Sequence, residues 1–578
     1  MYKKNINQIQ NYLIKQNIDA YILFLSDDHG SEYINDAYKS IAFICGFTGS
    51  AGTLLITKTS SYLWTDGRYF LQASTQLKAS DTILMKIGID ISIIDFIKEN
   101  VNSLAFDFKV ASVSFINSLL KVKPNLSLID ESNLLDDIWV NRPKIHNKKA
   151  FLLPNKVCLH SANKKCEKTI KYIKSKKNFS VLISALDDIA YLLNARGKDI
   201  VHNPVFISFL LLSKVDNKLT YTLFINNKKL TKEVKEKFLS EGLIIKPYEH
   251  VYKHISQIDH CIYFDSSKTN YKLYSLMKNK KDMMLYPTIA KAIKNHLEIK
   301  ETKKAHIQDG VAMCKFLYYL NQNVKKNKLS EISIANHLEK LRRKQGAFDV
   351  SFNTICGYKE HGAIVHYSAN VSSNKKVYND GLLLVDSGGQ YYFGTTDITR
   401  TIALGNITDQ MKYHFTLVLK AHIALSMATF DYNTLDSSLD YITRKPLWDN
   451  NLDYNHGTGH GIGFMLNVHE GPQSIRYNKV SPYVMKKGMI TSNEPGLYIE
   501  NEYGIRHENE ILCVKKEDKL GFEPITYVPF DNKAIDRSLL TDKEVNWLNN
   551  YHKMVYQKIN KYLNEKEKEY LKELTKEI

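Results

Sequence analysis

The chain has 578 residues, more than a single hydrophobic core usually serves, so two to four domains are expected. Apolar residues make up 44% and charged residues 24%, close to globular averages, which excludes a disordered or fibrous chain. The net charge of +18 is spread over lysines that alternate with Glu and Asn, without aromatic interleaving, and this argues against a nucleic-acid partner.

Residues 1 to 20 are mixed polar and charged, and the first apolar run, Tyr21 to Leu25, is too short for a signal core or a membrane span. The expectation is a soluble cytoplasmic protein with no membrane partner. The seven cysteines are scattered without CxxC pairs, and an odd count leaves no complete disulfide set, which agrees with reduced thiols.

Residues 1–125 read as a first α/β domain, with strands at Ala20 to Leu25, Gly52 to Ile56 and Leu104 to Phe108. The loop Gly46-Phe-Thr-Gly-Ser-Ala-Gly52 has no Lys-Ser/Thr after it and precedes its strand, so it reads as a turn and not a phosphate cradle. Residues 126–296 repeat the style of the first domain, with strands at Val181 to Ser184, Val205 to Leu212 and Thr220 to Ile225. Apolar residues at helical spacing through Ala305 to Val324 open a third region, 297–525, of mixed helices and strands. In the last segment, 526–578, Thr541 and Glu544 form a capping box for a long helix through Tyr551.

The chemistry is concentrated in the third region. The apolar run Leu382-Leu-Leu-Val ends in Asp386, and Thr395-Thr-Asp397-Ile-Thr-Arg-Thr401 follows, so two carboxylates would leave adjacent strands. His456-Gly-Thr-Gly-His460-Gly packs two histidines among glycines, which permits close backbone approach to a small central object such as a metal. Asn493-Glu494-Pro-Gly and Gly504-Ile-Arg-His-Glu508 add two acids, the second in an alternating strand. Each of these alone has a plain alternative as a turn former, a flexible loop or an exposed acid. Taken together, Asp386, Asp397, Glu494 and Glu508 with His460 make four carboxylates and one imidazole, whose repulsion two divalent ions would neutralise. The oxygen-rich set suits Mn²⁺ first, with Co²⁺, Zn²⁺ or Fe²⁺ as alternatives. The absence of cysteine from these motifs argues against a structural zinc site.

These motifs, with Gly362-Ala-Ile-Val-His366-Tyr and Asn467-Val-His469-Glu-Gly-Pro, resemble the metallopeptidases of the pita-bread fold, and among them aminopeptidase P of the long, three-domain cytosolic type. Trp64-Thr-Asp-Gly-Arg-Tyr-Phe, Ala185-Leu-Asp-Asp-Ile-Ala, His202-Asn-Pro-Val-Phe and Trp547-Leu-Asn-Asn-Tyr-His extend the resemblance to the flanking domains. It implies an α/β and α+β multidomain chain: two creatinase-N-like α/β domains, a pita-bread catalytic domain and a C-terminal helical extension.

The resemblance also implies metal ligation by Asp386, Asp397, His460, Glu494 and Glu508, with Asp397 and Glu508 bridging. His366, His456 and His469 would line the substrate pocket and assist proton transfer. Glu494 would accept the proton of a water that becomes a hydroxide bridging the two ions, His366 would stabilise the carbonyl oxygen, and His469 would contact the leaving side. The implied substrates are peptides with proline at position 2, and the implied assembly is a homodimer. Arg68 is a candidate pocket residue whose alternative is an ion pair. His507 and Glu510 depart from the family pattern beside Glu508, and Glu510 shares a strand face with it.

Overall fold

The computed structural model describes residues 1–145 and 147–578. The chain forms two compact units, Met1–Thr288 and Ile289–Ile578.

The first unit holds two six-stranded sheets of the same topology. In the first, the order is Ile83–Lys86, Ser61–Thr65, Thr53–Thr57, Ala20–Phe24, Ser103–Phe106, Ser127–Asp130. The second repeats it with Leu243–Lys246, Lys218–Ile225, Ser208–Val215, Phe179–Ile183, Cys261–Phe264 and Lys280–Asp282. In both, an antiparallel three-strand core is extended by parallel strands on either side. The repeat expected from the sequence is therefore a repeat of strand order and direction.

A division at residue 125 would leave Ser127–Asp130 outside the sheet that it completes. The strand expected over Leu104 to Phe108 ends at Phe106, because the Asp107 side chain takes the Lys109 N–H and turns the chain away from the sheet. In the second sheet, the strand expected from Val205 starts at Ser208, after a bend in which Asp199 accepts from the Ile207 N–H.

In the second unit, Asn295 and Glu298 form a capping box that starts one continuous helix, His296–Asn323, earlier than the hydrophobic pattern alone suggests. This helix and Glu331–Lys344 pack Phe316, Leu320, Ile334 and Leu338 against Leu383 and Val385 of the three-stranded sheet Ile355–Tyr358, Leu382–Ser387, Ile398–Ala403. A six-stranded antiparallel sheet runs Thr429–Phe430, Lys519–Pro524, Asn509–Lys516, Ile490–Asn493, Gly459–Gly461, Glu470–Ile475.

The helix Asp409–Met427, capped by Thr408, carries few exposed positions and contributes to three separate apolar clusters, through Leu425, Phe415 and Ile423. A helix that is apolar on most sides belongs inside, and this one holds the strands that carry the acids. Thr541 and Glu544 form the expected capping box, and the helix they start runs from Asp542 to Ile559.

Candidate metal centre

Asp386 lies near the end of Leu382–Ser387, directly opposite Thr399 of the antiparallel strand Ile398–Ala403, and Asp397 is the residue before that strand. The two acids thus leave neighbouring strands, as the sequence suggests. The two arms of the hairpin between them approach closely: a Cβ on Gly388 would stand 1.9 Å from the Thr396 carbonyl oxygen. Glu494 follows the strand Ile490–Asn493, and Glu508 immediately precedes Asn509–Lys516, which pairs with it. His460 sits at the centre of Gly459–Gly461.

These five side chains converge. Candidate donor atoms of Asp386, Asp397 and Glu508 lie within 4.8 Å of one another, and so do those of His460, Glu494 and Glu508 and those of Asp397, His460 and His469. His460 Nε2 is 3.4 Å from Asp397 Oδ2 and 3.4 Å from Glu494 Oε1. Its Nδ1 donates to the Gly461 carbonyl at 3.0 Å, which turns Nε2 toward the acids.

Asp386, Glu508 and Asp397 are almost wholly buried. Burial first, and then the charges of Asp397, Glu494 and Asp386, push the Glu508 carboxyl well above its usual range. Burial also raises Glu494, with Asp397 and Asp386 adding to the effect and His460 and Arg506 opposing it. For His460, burial acts to lower the pKa, but the hydrogen bond it donates to Asp397 and the charges of Glu494 and Asp397 prevail and raise it to about 10. Four carboxylates facing Arg506 and His460 leave the pocket with an excess of negative charge, the condition that divalent ions relieve. Asp386 Oδ1, buried and without a hydrogen bond among the described residues, is a donor of the kind a cation would take up. The residues fit a pair of divalent ions.

The glycines around His460 act differently from the expectation. A Cβ on Gly459 would stand 2.0 Å from the Ser492 carbonyl oxygen, and one on Gly461 2.1 Å from that of Glu470. They let His460's strand pass between its two neighbours, so they serve strand packing and not backbone approach to a central ion.

Further groups hold the acids in place. Arg506, fully buried, donates to Asp386 Oδ2 at 2.7 Å, to Thr399 Oγ1 at 3.1 Å and to Tyr498 Oη at 2.7 Å. Thr399 Oγ1 in turn donates to Glu508 Oε2 at 2.8 Å, and Ser492 Oγ donates to Glu494 Oε1 at 3.0 Å. Tyr498 Oη also meets His456 Nε2 at 2.8 Å, which ties that histidine to the same network. His469 stands edge to face against His460, with ring centroids 4.3 Å apart.

His366 occupies a turn in which the Tyr367 N–H donates to the Ile364 carbonyl. That segment is anchored on buried Glu331, whose Oε1 faces His361 Nδ1 at 2.8 Å and whose Oε2 accepts from Tyr367 Oη at 2.9 Å. Arg68 belongs to the first unit, where its guanidinium forks onto Asp66 at 2.8 and 2.7 Å, the ion pair offered as its alternative.

Glu510 is absent from the convergent groups. Its Oε1 accepts from the Asp397 N–H at 2.8 Å and its Oε2 faces His306 Nε2 at 2.9 Å, so it steadies the backbone that presents Asp397. His507 is buried against Phe415 and Phe530, and burial holds its pKa well below the ordinary value, as a neutral ring.

Sequence reasoning missed Arg506, Tyr498, Thr399 and Glu331. A signal for Arg506 was present, since positions 506, 508 and 510 share the period of an extended strand. Glu331 and Tyr498 sit far along the chain from the groups they hold, and no local spacing marks them.

Comparison with known proteins agrees along the chain. Residues 300–515 match the model of metallopeptidase family M24, residues 5–138 and 141–298 each match a creatinase/prolidase N-terminal domain, and residues 518–578 match the C-terminal region of peptidase M24. Aminopeptidase P2 of Arabidopsis thaliana is 37% identical over 94% of this chain and 84% of its own length. Xaa-Pro aminopeptidase 1 of Dictyostelium discoideum is 35% identical over 96% and 93%. The crystal structure of X-prolyl aminopeptidase from Caenorhabditis elegans, described as a cytosolic enzyme with a di-nuclear active site, superposes with a TM-score of 0.95 at 32% identity, covering 100% of both chains. The chain belongs to metallopeptidase family M24, within the group of the Xaa-Pro aminopeptidases.

Proposed function

We propose that this chain is a two-metal aminopeptidase that hydrolyses the bond between an N-terminal residue and a penultimate proline. The observation that carries the reading is the convergence of Asp386, Asp397, His460, Glu494 and Glu508 on one pocket. In this reading those five residues would hold the ions, and Asp397, His460 and Glu508, each of which occurs in two of the three convergent groups, stand where the sets of donors overlap. One nitrogen among carboxylate oxygens suits Mn²⁺, with Co²⁺, Zn²⁺ or Fe²⁺ as the alternatives. When bound, the ions lower the pKa of the attacking water and polarise the scissile carbonyl.

The chain's own residues do the rest. Glu494, steadied by Ser492, accepts the proton of the attacking water and passes it to the leaving nitrogen of proline. His366 donates to the carbonyl oxygen as negative charge develops there. His469, beside His460, contacts the leaving side. His456 is held by Tyr498 and lines the substrate pocket.

Proline at position 2 makes the scissile bond a tertiary amide with no N–H, so recognition rests on the ring and on the free amino terminus. The superposable relative is described as cytosolic, which supports a cytoplasmic location. A homodimer completes the proposal. The half-buried Trp448 packs against exposed Tyr441 and Tyr477, a surface aromatic cluster suited to a partner.

The deciding assay compares Xaa-Pro-Xaa tripeptides, Xaa-Pro dipeptides and Xaa-Ala controls on metal-replete protein. Cleavage of the tripeptides supports the reading. Cleavage of dipeptides alone points to a prolidase, and no turnover of any of them to a binding module. Sedimentation tests the dimer.

A further inference from the structure

The motif Trp547-Leu-Asn-Asn-Tyr-His in the C-terminal extension has no part in the chemistry above, yet its side chains reach the back of the metal centre. It lies on the helix Asp542–Ile559, where Trp547 and Tyr551 are one turn apart and their rings stack at 5.3 Å. Tyr551 is fully buried, and its hydroxyl accepts from Arg400 Nη2 at 3.1 Å and can donate to the Val528 or Thr526 carbonyl, each at 2.9 Å.

Arg400 is a buried cation with neutral acceptors. Its guanidinium donates to the carbonyls of Thr399, Glu508, Val528 and Pro529, to Asn509 Oδ1 and to the Tyr551 hydroxyl, and it stacks 4.1 Å from the centroid of Phe530. No carboxylate lies within ion-pair distance of it among the described residues. The bond to the Glu508 carbonyl is 2.6 Å, and the Glu508 N–H donates back to the Thr399 carbonyl at 3.1 Å. Glu508 is therefore clamped at both backbone ends, by Arg400 and by Thr399, whose hydroxyl also holds its carboxylate.

We propose that Tyr551 is a positioning residue for the Glu508 carboxylate, acting through the Arg400 guanidinium, so that the C-terminal extension completes the metal centre from behind. The inference rests on the reading of Glu508 as a metal ligand. The physical reason is the rigidity of the guanidinium fork. Nη2 is fixed by Tyr551, Asn509 and Val528, and because the group is planar this also fixes the direction in which Nη1 meets Glu508. Removing the hydroxyl leaves the two Nη2 hydrogens with Asn509 Oδ1 and the Val528 carbonyl, but it takes away the phenol that also bonds both of those acceptors, so they are free to shift and the plane can rock. Partners behind a ligand commonly change metal affinity by about 10- to 100-fold.

The test uses full-length Tyr551→Phe and Arg400→Lys, each stripped of metal and titrated with Mn²⁺ and with Co²⁺, alongside thermal unfolding of the metal-free proteins. The expected result is an apparent Kd roughly tenfold higher than wild type for the more weakly held ion in Tyr551→Phe. Arg400→Lys, which keeps the charge and loses the fork, should show at least the same loss. A role confined to holding the helix in place would lower the metal-free unfolding temperature and leave both dissociation constants unchanged, and that result overturns the proposal. Glu508→Gln is the control for the underlying reading. If it still binds two ions per chain with wild-type affinity, Glu508 is not a ligand, and both the reading and the proposal fall.

Discussion

Arg506 Nη2 lies 2.7 Å from Asp386 Oδ2, and the same guanidinium reaches Thr399 and Tyr498, so one buried cation spans a candidate ligand, the hydroxyl behind Glu508 and the phenol that holds His456. The pair is almost fully shielded from water. Breaking a buried pair from one side leaves an uncompensated charge and costs about 3–5 kcal/mol. Arg506→Met should therefore lower stability by that order in denaturant unfolding and reduce kcat/KM by more than a hundredfold. Arg506→Lys should recover part of the stability but little of the activity, because a single ammonium cannot reach three acceptors. Wild-type stability in Arg506→Met would refute the account.

Asp397→Asn tests ligation at the acid shared by two donor groups. Bound metal and peptide hydrolysis should fall together, while the metal-free protein should be no less stable than wild type, since one of four crowded carboxylates has been neutralised. Elemental analysis that finds two ions still bound would contradict the assignment.

Glu510→Leu removes the acceptor for the Asp397 N–H and for His306 in one step. Two buried polar groups lose their partner at about 1–3 kcal/mol each. The expected outcome is a lower unfolding temperature with weakened metal binding. Glu510→Gln, which keeps one acceptor oxygen, should lie between Glu510→Leu and wild type. Identical metal affinity in all three proteins would show that Glu510 does not steady Asp397.

Glu331→Gln probes the substrate side of the site. Both carboxylate oxygens of Glu331 accept backbone N–H groups, of Tyr358 and of Lys375, as well as bonding the His361 and Tyr367 side chains. An amide must turn its NH₂ toward one of those N–H groups, which shifts the segment that bears His366. We expect KM to rise and kcat to fall with two ions still bound, as measured by steady-state kinetics and metal analysis on the same sample. Loss of metal instead would place Glu331's influence elsewhere.

A pH dependence is expected from the first unit. Asp28 is buried between the hydroxyls of Tyr38 and Tyr248, each 3.1 Å away. Burial, with the Asp107 and Asp27 charges adding and Lys109 opposing, raises its pKa to about 7. The folded state then holds a proton that the unfolded chain releases near pH 4. Stability from this group is full below about pH 4 and is lost as pH rises toward 7, by up to about 4 kcal/mol. Asp28→Asn should flatten the decline in unfolding midpoint between pH 5 and pH 8. An equally steep decline in the variant would assign the dependence to other groups.

Much of this was legible in the chain. Strands announced themselves by apolar runs, the helix after Thr541 by its capping box, and the candidate ligands by carboxylates and a histidine in glycine-rich or apolar settings, because each of these signals depends on neighbours a few residues apart. The tertiary structure alone decided what stands behind the ligands. Arg506 and Asp386 are 120 positions apart, His306 and Glu510 are 204, and Arg400 and Tyr551 are 151. It also gave the glycines beside His460 their role, which is to let strands pass. The reason is that a buried charge or amide is satisfied by whichever group the packed fold brings within about 3 Å, and the spacing of residues along the chain carries no record of that group.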